Sequence, residues 1–205
     1  ADVLIRGYKL YWHRKVTEAD IFETDAQGRF LATPPKDKER VSVVIRPVRS
    51  GVRFRGKIRF TNLNGIELGG LLTVLDLGAS KRHKIGMVKP YGMGSVRFDV
   101  SVHIVDHSSR YSRLFTEDGM IASSSSQLET GEIERLKKEF GSFVLEALGE
   151  SRQSLWDIPR LELLARMLEW DKAPSKDSTT YLVLDPQGGK NEWKNRPILP
   201  RPDKV

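Results

Sequence analysis

Apolar residues recur at every second position through much of the first half of the chain and at helical spacing through much of the second. Leu4 to Trp12 is rich in aliphatic and aromatic residues, with Tyr8, Leu10 and Trp12 on one face, and predicts a strand. Val41 to Val48 (VSVVIRPV) predicts a second, ended near Pro47 because proline cannot donate to a ladder. In VRFRGKIRF the alternation is strict: Val52, Phe54, Gly56, Ile58 and Phe60 alternate with Arg53, Arg55, Lys57 and Arg59. Successive strand side chains point to opposite faces, so four cations are expected on one face and an apolar core contact on the other. SVRFDVSVHIVD repeats the pattern through Val96, Phe98, Val100, Val102 and Ile104.

Helical spacing appears in three places. Asn64 to Leu77 predicts a helix with Ile66, Leu71, Val74 and Leu75 facing the core and Asn62 or Asn64 as its cap. Its Gly69-Gly70 pair predicts close packing on a sheet. Glu132 to Leu148 and Asp157 to Trp170 predict two amphipathic helices. The first uses Ile133, Leu136, Phe140, Val144 and Leu148 and stops at Gly149; the second uses Leu161, Leu164 and Leu168, with Asp157 as cap and Pro159 in its first turn.

Residues 13–40 are polar, with DAQG and TPPKDKER, and read as an excursion from the core; residues 108–130 are serine-rich and read as a flexible connection. The tail holds TYLVL, Gly188-Gly189 and the proline-spaced RPILPRP, an extended strap. The order strand, strand, helix, loop, strand is half of a ferredoxin-like α+β domain. The expected organisation is therefore an α+β portion over residues 1–106, with 13–40 inserted, and a helical, strap-like C-terminal extension over 107–205. The chain opens on ADVLIRGYKLYWHR, without methionine and already in a strand pattern, so it reads as a segment of a longer polypeptide.

Charge narrows the partners. The chain has 205 residues, with Lys+Arg 34 against Asp+Glu 27, a net charge of +7 and a pI near 9.6, a balance that favours an anionic partner. It has no cysteine, which excludes disulfides and thiolate metal sites and fits the reducing cytoplasm. No apolar run reaches the ~18 residues of a membrane span.

The stretch HKIGMVKPYGMGSV, His83 to Val96, carries the candidate chemistry. It lacks G-x-x-x-x-G-K-[ST], because no Gly is followed by Lys-Ser or Lys-Thr, and it lacks G-x-G-x-x-G, because Gly92-Met93-Gly94 leads to Arg97. A nucleotide cofactor is not expected. The loop instead offers Gly86, Gly92 and Gly94 with Lys84 and Lys89, flanked by Lys81, Arg82 and Arg97, a set of backbone N–H groups and cations suited to a phosphodiester chain. The bland reading is a glycine-rich β-hairpin or helix–strand connection, and for the cations of 53–59 a solvated strand face. Four like charges in a row repel one another, which an anionic partner would relieve.

The succession RGYKLYWHR, VRFRGKIRFTNLNGIELGGLLTVLDL and HKIGMVKPYGMGSV resembles the RAMP superfamily of CRISPR-associated proteins. Within it the sequence is most similar to the backbone-subunit branch of type III effectors, especially the last RAMP repeat and C-terminal extension of the single-chain type III-E effectors, whose end EWKNRPILPRP also resembles. The resemblance covers most of residues 4–106 and implies a ferredoxin-like, RNA-binding fold that packs on guide RNA and target RNA. By position it implies RNA contacts for Tyr8, Tyr11, Trp12 and His13 and for His83, Lys84, Gly86, Lys89, Gly92, Gly94 and Ser95; the cations Arg6, Lys9, Arg53, Arg55, Lys57, Arg59 and Arg97 are expected on the same RNA. It implies the remainder of the same effector polypeptide as a partner; a reading of a different class is a structural domain whose extension docks a protein partner such as a protease-type protein.

Two departures limit what is carried over. The first strand and helix of the RAMP fold have no counterpart, nor does the acidic residue that supports metal-dependent target cleavage; Asp20 and Asp25 carry no sign of that role. Magnesium is therefore expected elsewhere in the parent effector, not here. Some RAMP proteins process precursor guide RNA with histidine as general acid–base. His13 and His83, near the basic loop in the family fold, are the candidates; His103 is expected on an outward strand face and His107 in the loop after it, and the spacing of the four offers no metal site.

Overall fold

Asn64 starts the first helix, α1 (Gly65–Leu75), through a capping box. Its side chain accepts from the Glu67 N–H at 2.9 Å while Glu67 accepts from the Asn64 N–H at 2.8 Å. The structure, a computed structural model, describes residues 10–17, 26–27, 45–112, 115, 117–119, 125–175, 177–179, 184–185, 189–195 and 197–205. The strand expected over 4–12 lies largely outside these residues, as does the start of the one over 41–48, and Arg6, Lys9, Tyr8, Asp20 and Asp25 lie outside them altogether.

The elements after α1 are short strands and longer helices: β1 (His83–Lys84), β2 (Ser95–Val96), β3 (His103–Val105), α2 (His107–Ser112), β4 (Ser125–Gln127), α3 (Thr130–Ala147), α4 (Pro159–Leu168), β5 (Leu184–Asp185), β6 (Lys190–Asn191) and α5 (Glu192–Asn195). Among the described residues the strands form three antiparallel pairs, β1 with β2, β3 with β4 and β5 with β6. The class is a mixed helix and antiparallel-strand, roughly α+β, arrangement.

The core lies between helices. Leu68 and Leu72 of α1 and Leu136 and Leu145 of α3 are buried, Leu72 to 1% exposure, as is Ile158 before α4. The face of α1 differs from expectation: Leu68 and Leu72 point inward and Val74 is 63% exposed. The glycine pair explains the rotation. A Cβ on Gly69 would fall 2.2 Å from the Leu136 carbonyl oxygen, and one on Gly70 would fall 2.9 Å from the Phe140 ring. The two glycines let α1 meet α3 backbone to backbone, so their close packing is on a helix and not on a sheet. At the end of α1, Lys137 joins Asp76 at 3.1 Å and Glu134 at 2.9 Å.

Both C-terminal amphipathic helices form. Gly149, at φ +66°, ends α3 with Glu150 N–H donating to the Leu145 carbonyl at 2.9 Å, a Schellman closure. Asp157 does not cap α4. It closes a capping box with Ser154 on the preceding 3₁₀ turn, and α4 opens at Pro159 with Ile158 as its uncapped N-terminal residue. The 3₁₀ turn Pro202–Lys204 of the tail packs against α4.

The serine-rich stretch does contribute structure. Asp106 accepts from the Ser108 and Ser109 N–H groups at the start of α2, and β4 pairs with β3 through His103–Gln127, Ile104–Ser126 and Val105–Ser125. Elements on both sides of residue 106 thus share one compact unit, formed by residues 1–14 and 62–205; residues 15–61 form a second. In that second unit, 52–60 joins no strand pair among the described residues, and Val52, Phe54 and Ile58 are 52%, 78% and 61% exposed. Alternation makes a segment compatible with a strand, but a strand persists only through hydrogen bonds to a neighbour. Among the described residues no such neighbour pairs with it.

Candidate nucleic-acid interface

The glycine-rich stretch folds as a β-hairpin. β1 and β2 pair through His83–Val96 and Lys84–Ser95, and the Ile85 N–H donates to the Gly94 carbonyl at 2.8 Å. The long loop between them turns through a left-handed Val88 at φ +58°, a 3₁₀ turn at Lys89–Tyr91 and Gly92 at φ +99°. Gly94 has φ +78°, and a Cβ there would lie 1.9 Å from the Ile85 carbonyl oxygen, so only glycine closes this hairpin. Gly86 differs: it also has positive φ, but a Cβ would meet nothing within 4 Å. Ile85, Met87 and Tyr91 stand exposed along the loop.

The loop uses its own cations. Lys84 Nζ donates to the Gly92 and Met93 carbonyls at 3.0 and 3.1 Å, and Lys89 Nζ to the Gly86 carbonyl at 2.6 Å. Burial, with repulsion from Arg14 and Lys89, lowers the Lys84 pKa to about 8. Arg97 pairs with Asp99 at 2.9 Å and Lys81 with Glu169 at 3.0 Å, while Arg82 donates to the Ala79 and Lys81 carbonyls. These cations hold the loop in shape as much as they offer charge.

His13 sits at the base of the hairpin and is fully buried. Nε2 lies 3.0 Å from the Arg82 carbonyl oxygen, which can only accept, so Nε2 carries the proton and donates. Nδ1 is then the acceptor for the Ser95 hydroxyl at 2.8 Å. Burial is the chief reason its pKa is lowered to about 4; the Arg82 carbonyl works against this, and Lys84, Arg82 and His83 add to it. Trp170 meets the ring edge-on at 5.8 Å between centroids. Both ring nitrogens of His13 are thus engaged and the residue has no exposed surface. His83 is half-buried, donates from Nε2 to the Leu75 carbonyl at 3.1 Å and packs on Phe98.

The end of α4 fastens this base. Arg82 N–H donates to the Leu168 carbonyl, Trp170 N–H to the Ser80 carbonyl, and Lys81 bridges Glu169 in antiparallel fashion. Nothing in the sequence marks this contact, which joins segments almost ninety residues apart. His103 is exposed, as its outward position predicts, and Tyr11 and Trp12 are half-buried.

The cations of the second unit are disposed differently. Arg46, Arg49, Arg53, Arg55, Lys57 and Arg59 are all exposed, and none makes an ion pair or hydrogen bond among the described residues. Residues 45–61 contain these six cations and no acid. Arg46 and Arg49 were not singled out by the alternation, although the absence of acids around them was visible.

Among the described residues no cluster of three or more His, Asp or Glu side chains could hold a metal ion, and no helix is long and apolar enough to cross a membrane. The chain matches no known family model and no curated protein.

Proposed function

We propose that this chain is an RNA-binding segment of a type III CRISPR effector, part of an RNA-guided, RNA-targeting ribonuclease acting in the cytoplasm. The observation that carries the reading is the run 45–61, with six exposed cations, no acid and no partner among the described residues. Six uncompensated charges on one short segment repel each other, and a phosphodiester chain removes that repulsion while releasing counterions. The ordered series of motifs resembling RAMP proteins supports the same reading. It adds a ferredoxin-like arrangement of the α+β core, guide and target RNA as ligands, the remainder of the effector and a protease-type protein as partners, and magnesium-dependent cleavage elsewhere in the effector. In this reading the 45–61 run offers RNA its charge, and the hairpin, taken by itself, offers the open backbone at Gly86. A guide-processing histidine would need an imidazole open to a 2′-hydroxyl, and His13 presents neither nitrogen.

The test is the affinity of the chain for RNA as a function of salt. Arg53→Ala, Arg55→Ala and Arg59→Ala together should lower the slope of log K against log salt by about 2, at ~0.7 per lost phosphate contact. Because all three side chains are exposed, thermal stability should hardly change. An unchanged slope would refute the assignment.

A further inference from the structure

Near the end of the chain, Pro197, Pro200 and Pro202 each have φ fixed near about −65° by the ring. A following proline also pushes Leu199 and Arg201 towards extended backbone. Arg201 shows the result: at φ −65° and ψ 147° it has polyproline II geometry. That helix has three residues per turn and rises ~3.1 Å per residue, which puts Pro197 and Pro200 on one edge ~9 Å apart. Residues 197–201 are all exposed, with Ile198 at 54% and Leu199 at 49% on the edges beside the prolines. Pro202 and Asp203, by contrast, are half-buried in the 3₁₀ turn that packs on α4. The strap is therefore anchored at its C-terminal end and presents its apolar side chains just before the anchor. Lys194 ahead of it and Arg201 within it are exposed cations. Arg201 pairs with Asp203 at 3.1 Å, and a pair this exposed is weak enough to exchange for another acid.

We infer that residues 197–201 are a docking segment for a protein domain that reads polyproline II through an aromatic-lined groove with an acid at its rim. Such grooves take prolines at three-residue spacing and gain affinity because the ligand is extended before it binds. Here three prolines restrict the backbone and the turn on α4 holds one end, so little order has to be imposed on binding. The acid is the complement of Arg201 and Lys194. RNA is the competing occupant, drawn by the same two cations. A phosphodiester chain has nothing apolar to set against Ile198, Leu199 and the proline edge, whereas an aromatic groove covers all three. The inference stands apart from the RNA-binding reading above.

The experiment titrates the whole chain into isotope-labelled SH3 and WW domains, two modules with aromatic-lined, proline-reading grooves, and follows their NMR shifts. At least one domain should show saturable shifts confined to its groove and reversed by a competing proline-rich peptide. Pro197→Ala with Pro200→Ala should weaken that binding about tenfold or more. Both prolines are exposed, so thermal unfolding of the chain should hardly move. Arg201→Glu should weaken binding more at low salt than at high salt. Absence of binding to both domains, or equal binding by the double-alanine variant, overturns the inference. Fluorescein-labelled oligouridine is the second probe. Weaker oligouridine binding by the double-alanine variant would give the strap to RNA and overturn the inference. Failure of the unaltered chain to bind oligouridine would count against the RNA-binding reading and, with groove binding present, support the docking segment.

Discussion

Acidifying the chain from about pH 7.5 to about 4.5 should cost about 2.5 kcal/mol of stability through His13 alone. The folded pKa of this imidazole is lowered from 6.5 to about 4, chiefly because burial disfavours the charged ring, with repulsion from Lys84, Arg82 and His83 adding to it. Below pH 6.5 the unfolded chain binds a proton that the folded chain refuses until pH falls to about 4. The unfolded state therefore holds more protons throughout that window, and stability falls with pH at up to ~1.4 kcal/mol per unit. The loss is absent above 6.5 and complete below about 4. His13→Gln supplies the control. Its amide retains a donor for the Arg82 carbonyl and does not titrate, although the Ser95 hydroxyl is left without its acceptor at a cost of ~1–3 kcal/mol at every pH. Urea unfolding followed by tryptophan fluorescence, with Trp170 beside the imidazole, should show the two proteins converging as pH falls. Parallel curves for wild type and His13→Gln between pH 6.5 and 4.5 would mean that His13 protonates freely in the folded chain, and the argument from its burial would fail.

Gly94→Ala should cost at least ~2 kcal/mol in chemical denaturation, since its Cβ meets the Ile85 carbonyl, whereas Gly86→Ala should cost only the ~1 kcal/mol of its positive φ. Leu72→Ala, at the most enclosed apolar side chain of α1, should lose ~2–5 kcal/mol by the same measurement. Gly69→Ala forces α1 off α3 and should lower stability by on the order of 1–3 kcal/mol despite the better helix propensity of alanine. Competitive acylation across pH should find Lys84 half-deprotonated near 8, well below the ordinary lysine value; a midpoint at that ordinary value would contradict its enclosure by the loop carbonyls.

The helices were legible because their signals are local. Asn64 with Glu67, Gly149 and Pro159 each act within one turn of the chain, so spacing and caps locate α1, α3 and α4 without knowledge of their neighbours. The strand pattern of 52–60 carried no such guarantee, since hydrogen bonding needs a second segment whose position alternation does not specify. Val74 was assigned to the core by spacing alone, and the contact at Gly69 turned the helix so that Leu68 and Leu72 took that place. Of the candidate site, the hairpin could be read from its glycines, but not the use of Lys84 and Lys89 to bind the loop's own carbonyls. His13 shows the limit most clearly. Its partner Ser95 lies 82 residues away, and nothing near either residue announces the other.

The fastening of the hairpin base to the end of α4 also sets an order of events during synthesis. Ser80 and Glu169, which hydrogen-bond at 3.2 Å, are separated by 89 residues. At ~5–20 residues added per second, the base of the hairpin waits roughly 4 to 18 seconds before its clasp leaves the ribosome. Closing so long a loop costs little more entropy than closing a short one, but it delays the contact that shields His13. Until Trp170 arrives, the imidazole lacks its edge-on cover and Ser80 and Arg82 lack their backbone partners. A nascent chain stalled before residue 168 should therefore hold a glycine hairpin whose base is open to water, and chaperones or proteases would meet it in that state.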